Sequence, residues 1–420
     1  MRKIFRWFGL TAFLAFLLAG RLPAQSYQGF SGQYDAIIKN ARFHLGPFRI
    51  FPRIQLKNIG YDDNLFFEST GRVAADYTAT LSPEVLAYFP FRGKMIFWVR
   101  ENPEYVYYLE ESAFRGWTNS TSAGGRGLLF SRFVLAWEYG FSKYRRPVSS
   151  ELPVPAKDYS KGWTANVFYE TARQTYFGLT AGIRSIGYED VKLFDQEIRL
   201  SRVFDREERF AGFEFYYRLF SDSHFFLSAR REDFRFRYDE ASSRDALAAI
   251  VQSGIRFPLL GRVRGLLSVG YKSFRPKDRT VAPFSGLIGN TGVEANMGRV
   301  GARLAYGRDI VFSYDRANAF YIDQNFGPGV SVYLTDFIRI GYNLNIGWAS
   351  YPVSGPTSGE DARPGDPRRD RRFSYSAEIA VRVYRTYGLG LSINSTRWKS
   401  EAAAFDRGRT FIGVNLISRF

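Results

Sequence analysis

Apolar side chains recur at every second position of this chain, in runs of ten to fourteen residues that few folds can use. Tyr77, Ala79, Leu81, Pro83, Val85, Ala87 and Phe89 alternate with Thr78, Thr80, Ser82, Glu84 and Leu86. Phe133, Leu135, Trp137, Tyr139 and Phe141 alternate with Val134, Ala136, Glu138, Gly140 and Ser142. Ile338, Ile340, Tyr342, Leu344, Ile346 and Trp348 alternate with Arg339, Gly341, Asn343, Asn345 and Gly347. A period of two belongs to strands, since a helical face recurs every 3.6 residues. Ordinary strands run about five or six residues, whereas a tilted membrane crossing needs about 9–11.

The chain ends on the same pattern. Ile412, Val414, Leu416 and Phe420 share one face, and Gly413, Asn415 and Arg419 the other. Greasy residues outward, small or polar ones inward and an aromatic last residue mark the closing strand of a membrane barrel. Phe420 is accordingly the expected assembly signal, read by the barrel-assembly machinery through the C-terminal strand.

Connection lengths alternate. Short turns fall at Pro90–Gly93, Ser131-Arg132, Thr171–Gln174, Ser221–Ser223, Leu259–Gly261, Gly298-Arg299, Thr335-Asp336 and Arg385-Thr386. Longer polar loops fall at Asp62–Ala75, Arg145–Ser160, Asp190–Arg206, Arg275–Val281 and Val353–Arg371. The expected fold is all-β: a single closed antiparallel transmembrane β-barrel of about 18 strands, with short periplasmic turns and longer extracellular loops. Lys192–Val203 is assigned to a loop, because an extra strand would make the count odd. Between His224 and Tyr238 the phase slips from Phe225, Leu227 and Ala229 to Phe234 and Phe236, which predicts a bulge. Glu101 and Arg308 fall on the lipid side.

The remaining segments fit this reading. Residues 1–24 read as a cleaved signal peptide, with Arg2, Lys3 and Arg6 before the apolar run Phe8 to Ala19 and a small residue at Ala24. Residues 25–47 form a periplasmic lead-in, too short for a folded plug, and 48–420 form the barrel. No later apolar run is long and uncharged enough for a spanning helix, so an exported chain of this size is either soluble or a barrel. The 40 Phe and 27 Tyr favour the barrel, whose interfaces carry aromatic girdles. With no Cys, there is no disulfide framework or thiolate metal site. The net charge is +17, or +13 without Arg2, Lys3, Arg6 and Arg21. An exported chain does not meet nucleic acid, so this charge points to anions in the lumen or to acidic lipopolysaccharide outside.

Alternation projects Arg53, Lys57, Glu84, Arg100, Glu104, Glu138, Arg184, Glu214, Arg218, Arg256, Arg262, Arg264, Arg303, Arg339, Glu378, Arg382 and Arg419 into the lumen. Of these, Arg218, Arg256, Arg262, Arg264, Arg303, Arg339, Arg382 and Arg419 sit beside short turns, which predicts a guanidinium ring at the periplasmic mouth. The competing reading pairs inward Arg with inward Glu, leaving only a braced wall. Trp98, Tyr88 and Tyr216 are the inward aromatics, thin for a sugar slide. The run Arg363–Arg372 reads as a solvated loop tip, with contact to lipopolysaccharide phosphate as the functional alternative. Both histidines, His44 and His224, lie toward the periplasmic end, away from any outer-leaflet substrate, so no enzyme and no cofactor are expected.

Two phrases, Ile59-Gly-Tyr-Asp-Asp-Asn-Leu-Phe66 and the pair Phe284-Ser-Gly-Leu-Ile-Gly289 with Arg308-Asp-Ile-Val-Phe-Ser-Tyr-Asp315, carry a resemblance. They resemble the outer-membrane β-barrel porin family associated with exopolysaccharide-secretion and exosortase systems. The resemblance implies an outer-membrane barrel and a possible polysaccharide outlet; it carries no catalytic residues. The expected function is passive passage of small hydrophilic solutes, leaning toward anions, in the bacterial outer membrane. The alternative is an outlet or accessory barrel for exopolysaccharide secretion. The expected partners are membrane lipid, lipopolysaccharide and the solute or polysaccharide itself.

Overall fold

The computed structural model describes residues 34–420, apart from Ala36, Asn40, Arg42, Phe420 and the segments 68–72, 148–154, 172–174, 194–195, 221–222, 260–261, 315–317, 353–367, 385–386 and 401–405. The signal-peptide expectation and the aromatic terminus at Phe420 therefore lie outside the described residues.

Eighteen long strands make the wall. They are β1 (Phe48–Asp62), β2 (Asp76–Phe91), β3 (Met95–Tyr108), β4 (Gly116–Leu129), β5 (Phe133–Pro147) and β6 (Pro155–Glu170). Next come β7 (Tyr176–Tyr188), β8 (Arg206–Phe220), β9 (Ser223–Phe236), β10 (Ala246–Leu259), β11 (Val263–Pro276) and β12 (Phe284–Met297). The last six are β13 (Val300–Phe312), β14 (Phe320–Tyr333), β15 (Ile338–Ser350), β16 (Arg369–Tyr384), β17 (Tyr387–Ser400) and β18 (Arg407–Arg419). Each pairs antiparallel with the next, and β1 pairs with β18 from Arg53↔Arg419 to Asp62↔Phe411, so the sheet closes. A three-residue strand, Phe43–Leu45, folds back on the start of β1.

Tight turns join the strands at one end. Arg92-Gly93 and Phe130-Ser131 take positive φ, as does Gly298 (+65°). Two successive left-handed residues match the twist of the flanking strands in a hairpin. Longer loops occupy the other end. Strands β5 and β6 run to Pro147 and from Pro155, so the expected loop Arg145–Ser160 shrinks from both sides; the ladder continues through Arg145↔Lys157 to Pro147↔Pro155. The loop expected at Val353–Arg371 likewise ends early. Arg369 to Arg372 belong to β16, which places part of the arginine-rich run in the wall rather than at a solvated tip.

The outward face is apolar. Trp117, Leu179, Val251, Val269, Leu287, Leu391 and Ile412 are all exposed. Aromatic pairs flank this belt. Phe48–Phe89, Phe133–Tyr169 and Phe177–Phe215 lie toward the turn end, with ring centroids 5.0–5.5 Å apart. Tyr61–Tyr77 and Tyr105–Trp117 lie toward the loop end, both at 5.2 Å. A belt between two aromatic girdles is what a bilayer selects. Glu101 does stand outward, but its carboxylate accepts Asn119 Nδ2 and Thr121 Oγ1, each at 2.6 Å.

The predicted bulge in 224–238 is absent. Strand β9 keeps one register with β10 throughout, and Leu227 faces out. Phe234 and Phe236 point inward, where they meet Phe312 edge-on at 5.3 and 5.1 Å. The apparent slip arises because the inner wall is itself aromatic at the loop end. A bulge does sit in β1, where Lys57 and Asn58 oppose the single Asn415 of β18. Asn58 takes φ +54°, a conformation Asn tolerates. Its N–H donates to Asn415 Oδ1 at 2.9 Å, and Thr78 Oγ1 donates to its carbonyl at 2.8 Å.

Candidate functional site

The lumen is the concave surface of the molecule, and strand alternation decides what lines it. On β1 to β3 the inward side chains form two charge clusters. Glu84 accepts Arg100 Nε at 2.7 Å with Arg53 Nη1 at 3.8 Å. Lys57 Nζ lies 2.6 Å from Glu104 Oε1, to which Ser82 Oγ also donates at 2.8 Å. Glu138 on β5 faces the same space and makes no ion pair among the described residues.

Farther round the barrel, Glu208 is a buried inward acid held by two arginines. Arg184 Nε donates to it at 3.0 Å and Arg206 Nε at 2.8 Å. Below it a recess of about 470 Å³ is lined by Glu214, Arg230, Glu232, Gln252, Lys272 and Asp323. Lys272, almost wholly buried, reaches Asp309 Oδ1 at 2.9 Å, and Arg230 reaches Glu232 at 3.0 Å. Glu214 accepts Tyr216 Oη at 3.1 Å.

The turn-end arginines divide into two groups. Arg264 and Arg339 hold Glu294 and Glu378, at 2.7 and 2.8 Å. Arg303 and Arg382, inward and exposed, make no ion pair among the described residues. Arg256 makes none either, and its guanidinium lies 5.8 Å from the Tyr216 ring centroid. Arg218 lies on the inward face of β8 and Arg262 in the turn before β11. Arg419 pairs with Arg53 through the backbone, and its side chain lies outside the described residues.

Segments at both ends pack against the inner wall. At the loop end, Val191–Leu193 pairs with Gln196–Ile198 as a small hairpin and the helix Leu200–Phe204 follows, inside the barrel and not as a barrel strand. Leu200 and Phe204 are buried against Ala156 of β6, against Phe312 at the end of β13 and against Tyr314 just beyond it, which ties one side of the wall to another. Arg244 Nη1 donates to Ser313 O at 2.6 Å, locking two further loops together. Phe67 packs with Tyr321, Tyr351 and Trp398 at a second inward cluster. Burial lifts the Asp205 carboxyl above its ordinary range even though it accepts the Tyr188 N–H. Burial acts the same way on Glu189, but Lys157 at 3.1 Å and Lys143 at 3.3 Å prevail and hold it below the usual range. At the turn end, Tyr34 and Ile37 of the lead-in pack on Ile96 and Val134, and Tyr34 Oη accepts the Gly93 N–H at 3.0 Å. A lead-in too short for a plug domain still enters the barrel.

Several lining residues escaped the sequence reading. Glu208, Arg206, Arg230, Glu232, Asp309 and Asp323 face inward, as does Lys272, whose parity with Arg264 was a usable signal. Asp62 and its partner Arg409, with Nε at 2.8 Å, stand 347 positions apart and left none. Inward aromatics are also more numerous than Trp98, Tyr88 and Tyr216: Phe51, Phe168, Tyr176, Phe210 and Phe226 join them. Tyr176 and Phe226 are buried in the wall rather than offered to a ligand. His224 is buried 5.9 Å from the Tyr176 ring, and His44 is exposed, with Nε2 3.0 Å from Ala41 O.

No protein-family model matches the chain, and no curated protein does. Among solved structures it is similar to the outer membrane protein OpdK from Pseudomonas aeruginosa, with TM-score 0.50 and 11% identity, covering 88% of this chain and 98% of that one. OccAB4 from Acinetobacter baumannii gives TM-score 0.49 at 8% identity, over 88% and 98% of the two chains. The siderophore receptor PirA from Pseudomonas aeruginosa gives 0.45 at 9%, over 88% and 80%. At these identities the likeness to OpdK is one of fold alone: a closed, porin-like barrel. That architecture, with its lipid-facing belt, places the chain in the bacterial outer membrane.

Proposed function

We propose that the barrel is a passive channel for small hydrophilic solutes with a preference for anions. Barrels of 16–18 strands enclose an aqueous channel unless something fills it. The reading rests on one observation above others: Glu84, Glu104 and Glu378 are neutralised by lumen cations, whereas Arg256, Arg303 and Arg382 stand at the turn-end mouth with no ion pair among the described residues. Charged rings at a constriction set ion selectivity. In this reading residues 1–24 direct export, and the C-terminal strand guides insertion.

The test is the reversal potential of the refolded protein across a KCl gradient in planar bilayers. Anion preference is expected, and Arg256→Gln/Arg303→Gln/Arg382→Gln should reduce or invert it. Cation preference in the parent protein would remove the proposal. An outlet for polysaccharide has only the two sequence phrases behind it, since the most deeply set inward aromatics pack on one another. Block of conductance by a long acidic glycan, but not by its monosaccharide, would bring that outlet forward.

A further inference from the structure

The outward face near the loop end is uneven. Arg308, Gln324, Trp348, Arg371 and Lys399 are successive cross-strand partners on β13, β14, β15, β16 and β17, and so form one continuous row. Each shares its face with exposed apolar residues of its own strand: Leu304, Phe326, Tyr342, Phe373 and Leu391. The row thus lies on the outer wall, within four residues of the loop end of every strand; past Arg308 and Gln324 the same faces of β13 and β14 turn in, and Ile310, Phe312, Phe320 and Ile322 pack with the inward Phe234 and Phe274. The neighbouring row toward the membrane centre runs Tyr306, Phe326, Ile346 and Phe373 before ending on Arg397. Polar headgroup level and acyl level therefore meet between these two rows.

Three features separate this sector from the rest of the rim. On β8 to β11 most outward charges sit in pairs, as in Arg209–Glu207 at 2.6 Å, Arg235–Asp233 at 2.9 Å and Lys277–Asp233 at 3.5 Å, and the two cations without an ion pair among the described residues, Arg231 and Arg275, lie apart from any such row. On β13 to β17 Arg308, Arg371, Arg397 and Lys399 make no ion pair among the described residues. Second, a groove of about 600 Å³ opens on the row, lined by Arg308, Gln324, Trp348, Arg369 and Arg371 among others. Third, Arg308 is held in place. The β12–β13 ladder stops at Gly289↔Arg308, and Arg308 Nε donates to the freed carbonyl of Leu287 at 2.9 Å. Its terminal nitrogens keep no partner among the described residues.

Like charges gathered beside lipid repel one another and are costly to desolvate. They are stable there when an anion shares them. Guanidinium and ammonium groups bind phosphate through charge-assisted hydrogen bonds, and Trp suits the interface. We infer that this face is a binding site for a phosphorylated glycolipid of the outer leaflet. Its phosphates sit on Arg308, Arg371 and Lys399, and its acyl chains lie along Phe326, Ile346 and Phe373. The inference is independent of what the lumen conducts.

The experiment uses the full chain purified in detergent, with diphosphorylated lipid A, dephosphorylated lipid A and inorganic phosphate as separate probes, read by native mass spectrometry. Diphosphorylated lipid A should bind, with at least tenfold weaker binding in Arg308→Gln/Arg371→Gln/Lys399→Gln and for the dephosphorylated lipid. Arg231→Gln/Arg235→Gln, on the outward face of β9, should bind as the parent does. Arg371→Lys, which keeps the charge, should retain most of the binding and guards against a folding failure in the triple variant. Equal binding of the triple variant and the parent overturns the inference. So does full competition by millimolar inorganic phosphate, which would mean a simple anion site.

Discussion

Phe204 is the side chain through which the inward loop holds the mouth, and truncating it should open the channel. Its ring lies 5.4 Å from Tyr188 and 6.1 Å from Tyr314, centroid to centroid, and is 3% exposed. Phe→Ala in a packed setting costs about 3–5 kcal/mol, including the cavity left behind. With roughly 1.4 kcal/mol for each factor of ten, the docked state of the helix Leu200–Phe204 loses about two to three and a half decades of population against the released one. Leu200, fully buried in the same cluster, then adds about 2–5 kcal/mol when cut to Ala. The wall should be unaffected, because β7 and β8 keep their ladder from Arg206↔Ile186 to Tyr216↔Tyr176. The assay pairs single-channel conductance with limited proteolysis of the loop. Phe204→Ala/Leu200→Ala should show rapid cleavage within 189–205 and a larger, noisier conductance. Rapid cleavage with unchanged conductance would refute the argument, since the loop would then be free and yet not the constriction.

Other expectations follow from the same contacts. Glu208→Gln leaves Arg184 and Arg206 side by side without their carboxylate and should lower barrel stability by about 2–3 kcal/mol in urea-dependent refolding into vesicles. Ile379→Arg sets a charge in lipid and should cost about 2–4 kcal/mol by the same measurement, whereas Ser376→Arg, on the inward face, should cost under about 1. The carboxylate of Glu189 is held down by Lys143 and Lys157, so its contribution is complete above the unfolded glutamate pKa and disappears as pH falls through the lower folded value. Hydrogen exchange at the Glu189 amide, bonded to Lys157 O at 2.8 Å, should accelerate relative to mid-strand amides below that point.

The wall was legible because burial in lipid imposes a strict rule on every second residue. Turn positions such as Arg92-Gly93 and Gly298-Arg299 were legible for a related reason: short polar breaks interrupt long greasy runs. Where the rule relaxes, reading failed. Phe234 and Phe236 are apolar on the inner side, and a pattern that knows only greasy and polar placed them outside. Loop residues such as Leu200 and Phe204 obey no period, so nothing in their spacing announced that they turn inward. The lumen was legible in its charges but not in their partners. Arg184 with Glu208 and Arg339 with Glu378 depend on register between neighbouring strands, and Asp62 with Arg409 depends on closure itself. Arg371 was hidden by being read as part of a loop.

The extra residue in β1 reaches further than its own turn of backbone. On one side of Asn58 even-numbered side chains meet lipid, as Ile54 does; on the other, odd-numbered ones do, as Ile59 and Tyr61 do. The seam is thus spliced from two half-strands of opposite parity, and the Asn58 insertion keeps both greasy edges outward. Deleting that single residue would leave closure a choice between Tyr61 in water and Ile54 in water. Chain length at this joint is therefore as binding a specification as any side chain in the wall.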